Sequence, residues 1–225
     1  MKKTLLALAT LFVASQALAA NWEAGKHYSV LPQAQRTNVP AGKVEVMEVF
    51  SYGCPACNSF QPAMKKLKAS LPANAQLVYL PASWNKAENW PLFQRAYLTA
   101  VSLGVADKAH DEMFNAIWTT GELGLFEPDG RRLKRTLPSI EDAAKFYQRV
   151  TGVKAADFVN ASKSFSVDTK MRQADAQIVA MRVASTPTLV VNGKYRINNE
   201  AVYTPNDIIE LVKFLVAKES AAKKS

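Results

Sequence analysis

Hydrophobic and polar positions along this chain follow two periods, and the change from one to the other marks out its elements. Val44-Glu45-Val46-Met47-Glu48-Val49-Phe50 is apolar at both parities and rich in β-branched residues, the pattern of a central strand covered on both faces. Helical spacing follows at Phe60, Met64, Leu67 and Leu71. Pro62 falls inside that helix and is expected to kink it, because the ring removes a hydrogen bond and crowds the carbonyl of Asn58. Residues 76–80 predict a second strand, so the first unit is strand-helix-strand with a parallel, right-handed crossover.

From Glu88 to about Phe165 the strand pattern gives way to helical stripes: Phe93, Tyr97, Ala100 and Val101; Met113, Phe114, Ile117 and Trp118; Ala143, Phe146, Tyr147 and Val150. Between them, residues 119–139 read as a loop with glycines, prolines and a basic cluster of Arg131, Arg132, Lys134 and Arg135, taken first as a solvated face and second as a contact for substrate or partner. A long helix carries Val167, Met171, Ala174, Ile178 and Met181 and stops before Thr186-Pro187. Residues 188–191 and 194–197 flank Asn192-Gly193, a strong hairpin signal because both turn residues tolerate positive φ. The last helix starts at Thr204-Pro205-Asn206-Asp207 and buries Ile208, Leu211, Val212 and Leu215. Residues 21–42, broken by Pro32, Pro40 and Gly42, read as an irregular lead-in.

Composition adds a compartment. Lys2 and Lys3 precede an apolar run from Leu5 to Val13 and then Ala17-Leu18-Ala19, the layout of a cleavable export signal over residues 1–19 with a mature start at Ala20. The run is too short for a membrane span, which needs roughly 20 apolar residues. Loss of two lysines lowers the net charge from +9 to 9 − 2 = +7. A basic exported chain without an aromatic-basic stripe does not point to nucleic acid, and the periplasm is the expected location.

The only two cysteines, Cys54 and Cys57, lie where the first strand gives way to the helix. A sulfur at a helix N-terminus meets unpaired N–H groups and the positive end of the dipole, which favour thiolate. A second sulfur one turn later can resolve a mixed disulfide, so two residues suffice for a dithiol-disulfide cycle and no cofactor is expected. Zinc lacks ligands here, because His27 and His110 have no metal-like spacing to the cysteines, and no metal site is expected. A purely structural bridge would close too small a loop to constrain the unfolded chain much. Cys54 is expected to be exposed and Cys57 buried. Glu48 shares a strand face with Val44, Val46 and Phe50, where desolvation would raise its pKa and suit it to carry protons for Cys57; a partner lysine is the alternative.

The order of elements, with Cys-x-x-Cys at the first strand-helix junction and a Pro before the hairpin, resembles the thioredoxin fold, and the interposed helices resemble the DsbA family of periplasmic thiol oxidases. The resemblance is carried by Val46-Met47-Glu48-Val49-Phe50-Ser51, by Leu103-Gly104-Val105 with Asp107-Lys108, and by Thr186-Pro187 followed by Val191-Asn192-Gly193-Lys194-Tyr195. It implies an α/β thioredoxin fold, a central mixed sheet flanked by helices, in two parts (20–87 and 166–225) with a helical insertion at 88–165. It also implies catalysis by Cys54, Cys57 and Glu48, redox tuning by Pro55 and Ala56, and a substrate clamp at Thr186 and a cis Pro187. The family commonly has His where this chain has Ala56, and often Val where it has Thr186, so a less oxidising protein than its His-bearing relatives is expected.

The function implied is a thiol-disulfide oxidase that donates the Cys54-Cys57 disulfide to newly exported proteins as a monomer and is recharged by a DsbB-type membrane partner. An isomerase or reductase, and a non-catalytic chaperone with a structural bridge, are the competing readings. Trp84 and Trp90 are candidates for an apolar groove beside the sulfur, with burial in the core the equal alternative.

Overall fold

The computed structural model describes residues 21–202 and 204–222; the expected export signal lies outside them. In chain order the elements are β1 (Tyr28–Val30), β2 (Val44–Phe50), α1 (Pro55–Ser70), β3 (Ala75–Pro81), α2 (Trp90–Ser102), α3 (Ala106–Trp118), α4 (Ile140–Thr151), α5 (Ala155–Ser162), α6 (Phe165–Ala180), β4 (Thr188–Val191), β5 (Tyr195–Ile197) and α7 (Pro205–Ala222). The strands form one mixed sheet ordered β1-β5-β4-β2-β3. β2 runs parallel to β3 and antiparallel to β4, and all seven of its residues are buried. This is the thioredoxin fold with helices inserted between β3 and α6.

The two faces of β2 feed two parts of the core. Val44 and Val46 pack with Met64 and Leu67 of α1 and with Val212 and Leu215 of α7. Met47 and Val49 join Phe93 and Ala96 of α2 and Ala174 and Ile178 of α6. Because β2 is covered on both sides, a polar side chain anywhere along it is taken out of water. That applies to Glu45 as well as Glu48, both 0% exposed. Glu45 accepts the Asn38 N–H at 2.6 Å and so ties the lead-in segment to the sheet.

Two expectations change. The lead-in contains β1, which pairs antiparallel with β5; three residues are too few to show a period. The insert contains a further helix, α5, of eight residues. In the basic cluster Arg131, Arg132 and Arg135 are exposed, while earlier in the same loop Leu123 and Leu125 are core residues and Phe126 bridges Leu133. The hairpin turn takes positive φ at Asn192 and Gly193 as expected. At Gly193 a Cβ would come within 2.3 Å of the Gln35 carbonyl oxygen, so the lead-in crosses the turn where only hydrogen fits.

Candidate active site

Cys54 is the N-cap of α1. Its Sγ accepts the Cys57 N–H at 3.4 Å, in the place a serine or threonine oxygen would take, and Pro55 at the first helical position has no N–H to satisfy. The α1 axis therefore starts at the sulfur. Across from it, the loop before β4 brings the cis Thr186–Pro187 bond up to Cys54, whose Sγ–H donates to the Thr186 carbonyl at 3.5 Å.

That contact corrects one expectation: Cys54 is only 6% exposed, because the Thr186 loop stands across the sulfur, whereas its neighbours Pro55 and Ala56 are open to solvent. Cys57, one turn inside, is 0% exposed. Both are free thiols.

The two sulfurs are driven apart in acidity. The Cys54 thiol is brought from 9.0 down to about 6, first by the hydrogen bond from the Cys57 thiol and then, against the cost of burial, by the N–H groups of Cys57 and Ala56. Cys57 is pushed far up, by burial first and then by its bond to Cys54 and the negative charges of Cys54 and Glu48. Glu48 is raised from 4.5 to about 8, chiefly by burial and secondly by the Cys54 charge. Neither of its oxygens has a hydrogen-bond partner among the described residues, so the alternative of a lysine partner is not met. At neutral pH the arrangement holds one negative charge, on Cys54, and two protonated acids behind it.

The loop leading into Cys54 is held from α3, which sequence reasoning did not foresee. The Tyr52 carbonyl accepts the Trp118 indole N–H at 2.8 Å, and the Tyr52 hydroxyl meets His110 Nδ1 at 3.0 Å. A usable signal existed: Ala106, Ala109, His110, Met113, Phe114 and Ile117 fall at helical spacing, which puts His110 in the buried stripe.

Trp90 follows the core reading, and Trp84 stays partly open. Trp90 is 5% exposed and its ring covers Gly53, where a Cβ would lie 2.8 Å from the indole; Trp84 packs on it and stays half-exposed. An apolar depression of about 520 Å3 opens beside Ala56 and Pro187, lined also by Phe60, Leu189 and Ile208. Among the described residues no group of three or more metal-binding side chains occurs.

A helix-capping thiolate, a hidden second thiol and a loop carbonyl beside them define a thiol-disulfide exchange site on a thioredoxin scaffold. The comparisons agree. Residues 39–211 match the family model described as Thioredoxin. The DsbA thiol:disulfide interchange protein of Pseudomonas aeruginosa is 33% identical over 220 residues, covering 98% of this chain and 96% of that protein. The Escherichia coli K12 protein is 28% identical over 228 residues. Crystal structures of DsbA from P. aeruginosa (TM-score 0.74, 32% identity, covering 91% of this chain and 97% of that one) and Xylella fastidiosa (0.75, 30%, covering 88% and 98%) superpose closely. The chain belongs to the DsbA family and is a thiol:disulfide oxidoreductase.

Proposed function

We propose that this enzyme works in the periplasm as a disulfide donor, passing the Cys54-Cys57 disulfide to newly exported proteins through a mixed disulfide. A substrate thiolate attacks Cys54 Sγ and forms the mixed disulfide. The Cys54–Cys57 bond breaks, and Cys57 leaves with a proton taken from Glu48. A second substrate thiolate then attacks the substrate sulfur of the mixed disulfide and expels Cys54 as thiolate. Two electrons pass from the substrate dithiol to the enzyme, and Glu48 recovers its proton from solvent.

The observation that carries this reading is the asymmetry of the pair, with Cys54 held at about 6 and Cys57 pushed far above its ordinary value. A stabilised Cys54 thiolate is a good leaving group and favours the dithiol form. Relative to a thiol at 9.0, a value of about 6 stabilises the reduced protein at pH 7 by about 1.4 kcal/mol, which raises the potential by about 30 mV.

The depression beside Ala56 and Phe60 suits an apolar stretch of unfolded chain, and the backbone of Thr186, next to the sulfur, suits an extended segment bound without regard to side-chain identity. In this reading Cys54, Cys57 and Glu48 are the reacting groups, Pro55 and Ala56 tune the potential, and Thr186 and Pro187 hold the substrate. Residues 20–87 and 166–225 form the exchange unit, 88–165 an insertion bracing the Cys54 loop, and 1–19 the export signal. The enzyme acts as a monomer recharged by a DsbB-type membrane partner.

The test is a redox titration against glutathione together with oxidation of a dithiol peptide. The expected result is stoichiometric peptide oxidation and a potential below that of relatives with His at the Ala56 position. Failure of the disulfide form to oxidise the peptide overturns the reading, and efficient refolding of a scrambled substrate without net oxidation would reassign the enzyme as an isomerase.

A further inference from the structure

A second depression, of about 540 Å3, adjoins the Thr186–Pro187 loop and has no part in the exchange chemistry. Ser185 and Thr188 of the loop line it, with Arg182 at the end of α6, Arg196 of β5, Lys26 and Asn199. Asn199 also lines the apolar depression beside Ala56, so the two meet at this residue. Its Nδ2 donates to the Pro187 carbonyl at 2.6 Å, and Thr188 Oγ1 donates to the Ser185 carbonyl at 2.8 Å. Side chains thus tie down the backbone around Thr186, at the rim between the two depressions.

The lining is basic. Arg182, Arg196 and Lys26 stand against Glu200, and Lys26 is taken by Glu23 at 3.6 Å. Arg196 is half-buried; its guanidinium donates to the Arg182 carbonyl and, at 3.4 Å, to the Ser29 hydroxyl, and meets no carboxylate among the described residues. Arg182 is exposed, with no partner for its guanidinium among the described residues. It stands at φ +54, in a turn closed by the Arg182 N–H on the Val179 carbonyl at 2.9 Å and the Val183 N–H on the Ile178 carbonyl at 3.1 Å. Such a turn favours glycine, because a Cβ at positive φ is strained. The carbonyl end of α6 suits a cation, but Arg196 already supplies one through its bond to the Arg182 carbonyl. Neither the turn nor the helix end accounts for the exposed guanidinium of Arg182.

We propose that this depression is a substrate subsite for an acidic side chain, in which Arg182, with Arg196 behind it, takes the carboxylate of an Asp or Glu close in sequence to the substrate cysteine. The proposal deepens the reading of the enzyme as a disulfide donor to extended segments, and rests on it. A segment lying along the Thr186 backbone has its cysteine at Cys54. Because Ser185 adjoins Thr186, about two to four residues of extended chain, at roughly 3.3 Å each, carry the segment from the sulfur into the depression. The planar guanidinium fork matches a carboxylate with two parallel hydrogen bonds, which a point charge such as lysine does not reproduce. Apolar side chains have their place beside Ala56 and Phe60 and acidic ones have theirs beside Arg182. The enzyme then selects for the character of the residues around a cysteine without demanding one sequence.

The test is oxidation by the disulfide form of dithiol peptides that differ only in carrying Glu, Gln or Lys at about two to four residues before or after the reactive cysteine. On one side of the cysteine the Glu peptide should exceed the Gln peptide in kcat/KM by about threefold to fivefold, through KM, with the Lys peptide lowest. The preference should fall by about half or more in roughly 0.5 M salt. Arg182→Lys should keep part of it and Arg182→Glu should turn it toward the Lys peptide. Arg182→Gly should lose it while unfolding at no lower urea concentration than wild type, because glycine suits the positive φ, and this separates a binding role from a structural one. Equal rates for the three peptides with wild-type enzyme, or a preference that survives in Arg182→Gly, overturn the subsite. If no peptide is oxidised, the donor reading falls, and the subsite is judged by the affinities of fluorescently labelled peptides with Ser in place of Cys, where equal binding of the Glu and Gln forms overturns it.

Discussion

Replacing Glu48 by Gln should make the reduced protein more stable at neutral pH while impairing the reaction. The carboxyl titrates at 4.5 when solvated and at about 8 in the folded protein, with burial the main cause and the Cys54 thiolate the second. Because the folded value is the raised one, folding favours the protonated acid. The stability this gives is whole below 4.5 and is lost as pH rises from there through about 8. At about 1.36 kcal/mol per pH unit the interval amounts to about 5 kcal/mol in full, of which about 3 kcal/mol is already lost at pH 7. Gln is nearly isosteric with the protonated acid and does not titrate. Urea unfolding of the two reduced proteins should therefore give similar stabilities near pH 4.5, and a gap of about 3 kcal/mol in favour of Glu48→Gln at pH 7. In the oxidised proteins the gap should shrink, since the thiolate contribution is gone. A gap that does not change with pH, or a variant less stable than wild type at pH 7, refutes the assignment of Glu48 as a desolvated, unpaired acid.

Cys57→Ala removes the first cause of the low Cys54 value, so the pH midpoint of Cys54 alkylation should rise from about 6 by about one unit; an unmoved midpoint would transfer the effect to the helix terminus. Gly193→Ala, at φ +61 and against the Gln35 carbonyl, should cost about 2 to 4 kcal/mol in chemical denaturation with no change at Cys54, and a loss below about 0.5 kcal/mol would contradict the close crossing. The potential itself should change slope with pH. Reduction takes up two electrons and two protons below about 6 but one proton above it, because Cys54 then stays a thiolate. The expected slope is about 59 mV per pH unit on the acid side and about 30 mV per pH unit between pH 6 and about 7; a single slope across that point argues against a thiolate at Cys54.

Much of this site could be read from the chain because it is built at element boundaries. The apolar run of β2, the cysteines at its end and Asn192-Gly193 each carry a local signal, and together they place sheet, helix start and hairpin. What stayed hidden depends on contacts between distant segments. Trp118 and His110 look like ordinary core residues of α3, and only packing shows that both hold Tyr52. That an apolar surface opens beside Ala56 follows from how the Thr186–Pro187 loop and α7 lie against Phe60, which no periodicity records. β1 was missed because a three-residue edge strand is specified by its partner β5 rather than by its own pattern. The exposure of Cys54 was misjudged for the same reason, since the loop covering it comes from 132 residues further along the chain.

Ala56, between the two cysteines, brings no titratable side chain to the sulfur. An imidazolium beside the sulfur would add a charge that titrates and that salt screens. Here the groups favouring the Cys54 thiolate are the Cys57 thiol and two backbone N–H groups, all neutral, while the Thr186 carbonyl, which accepts from the Sγ–H, favours the thiol. Neutral donors at fixed positions neither titrate in the working range nor respond much to ionic strength. The acid that does titrate nearby, Glu48, acts against the thiolate only when it ionises, and burial delays that to about 8. Around pH 7 the main state therefore pairs a Cys54 thiolate with a protonated Glu48, and the redox potential there depends on hydrogen-bond geometry at the start of α1 rather than on a switchable charge.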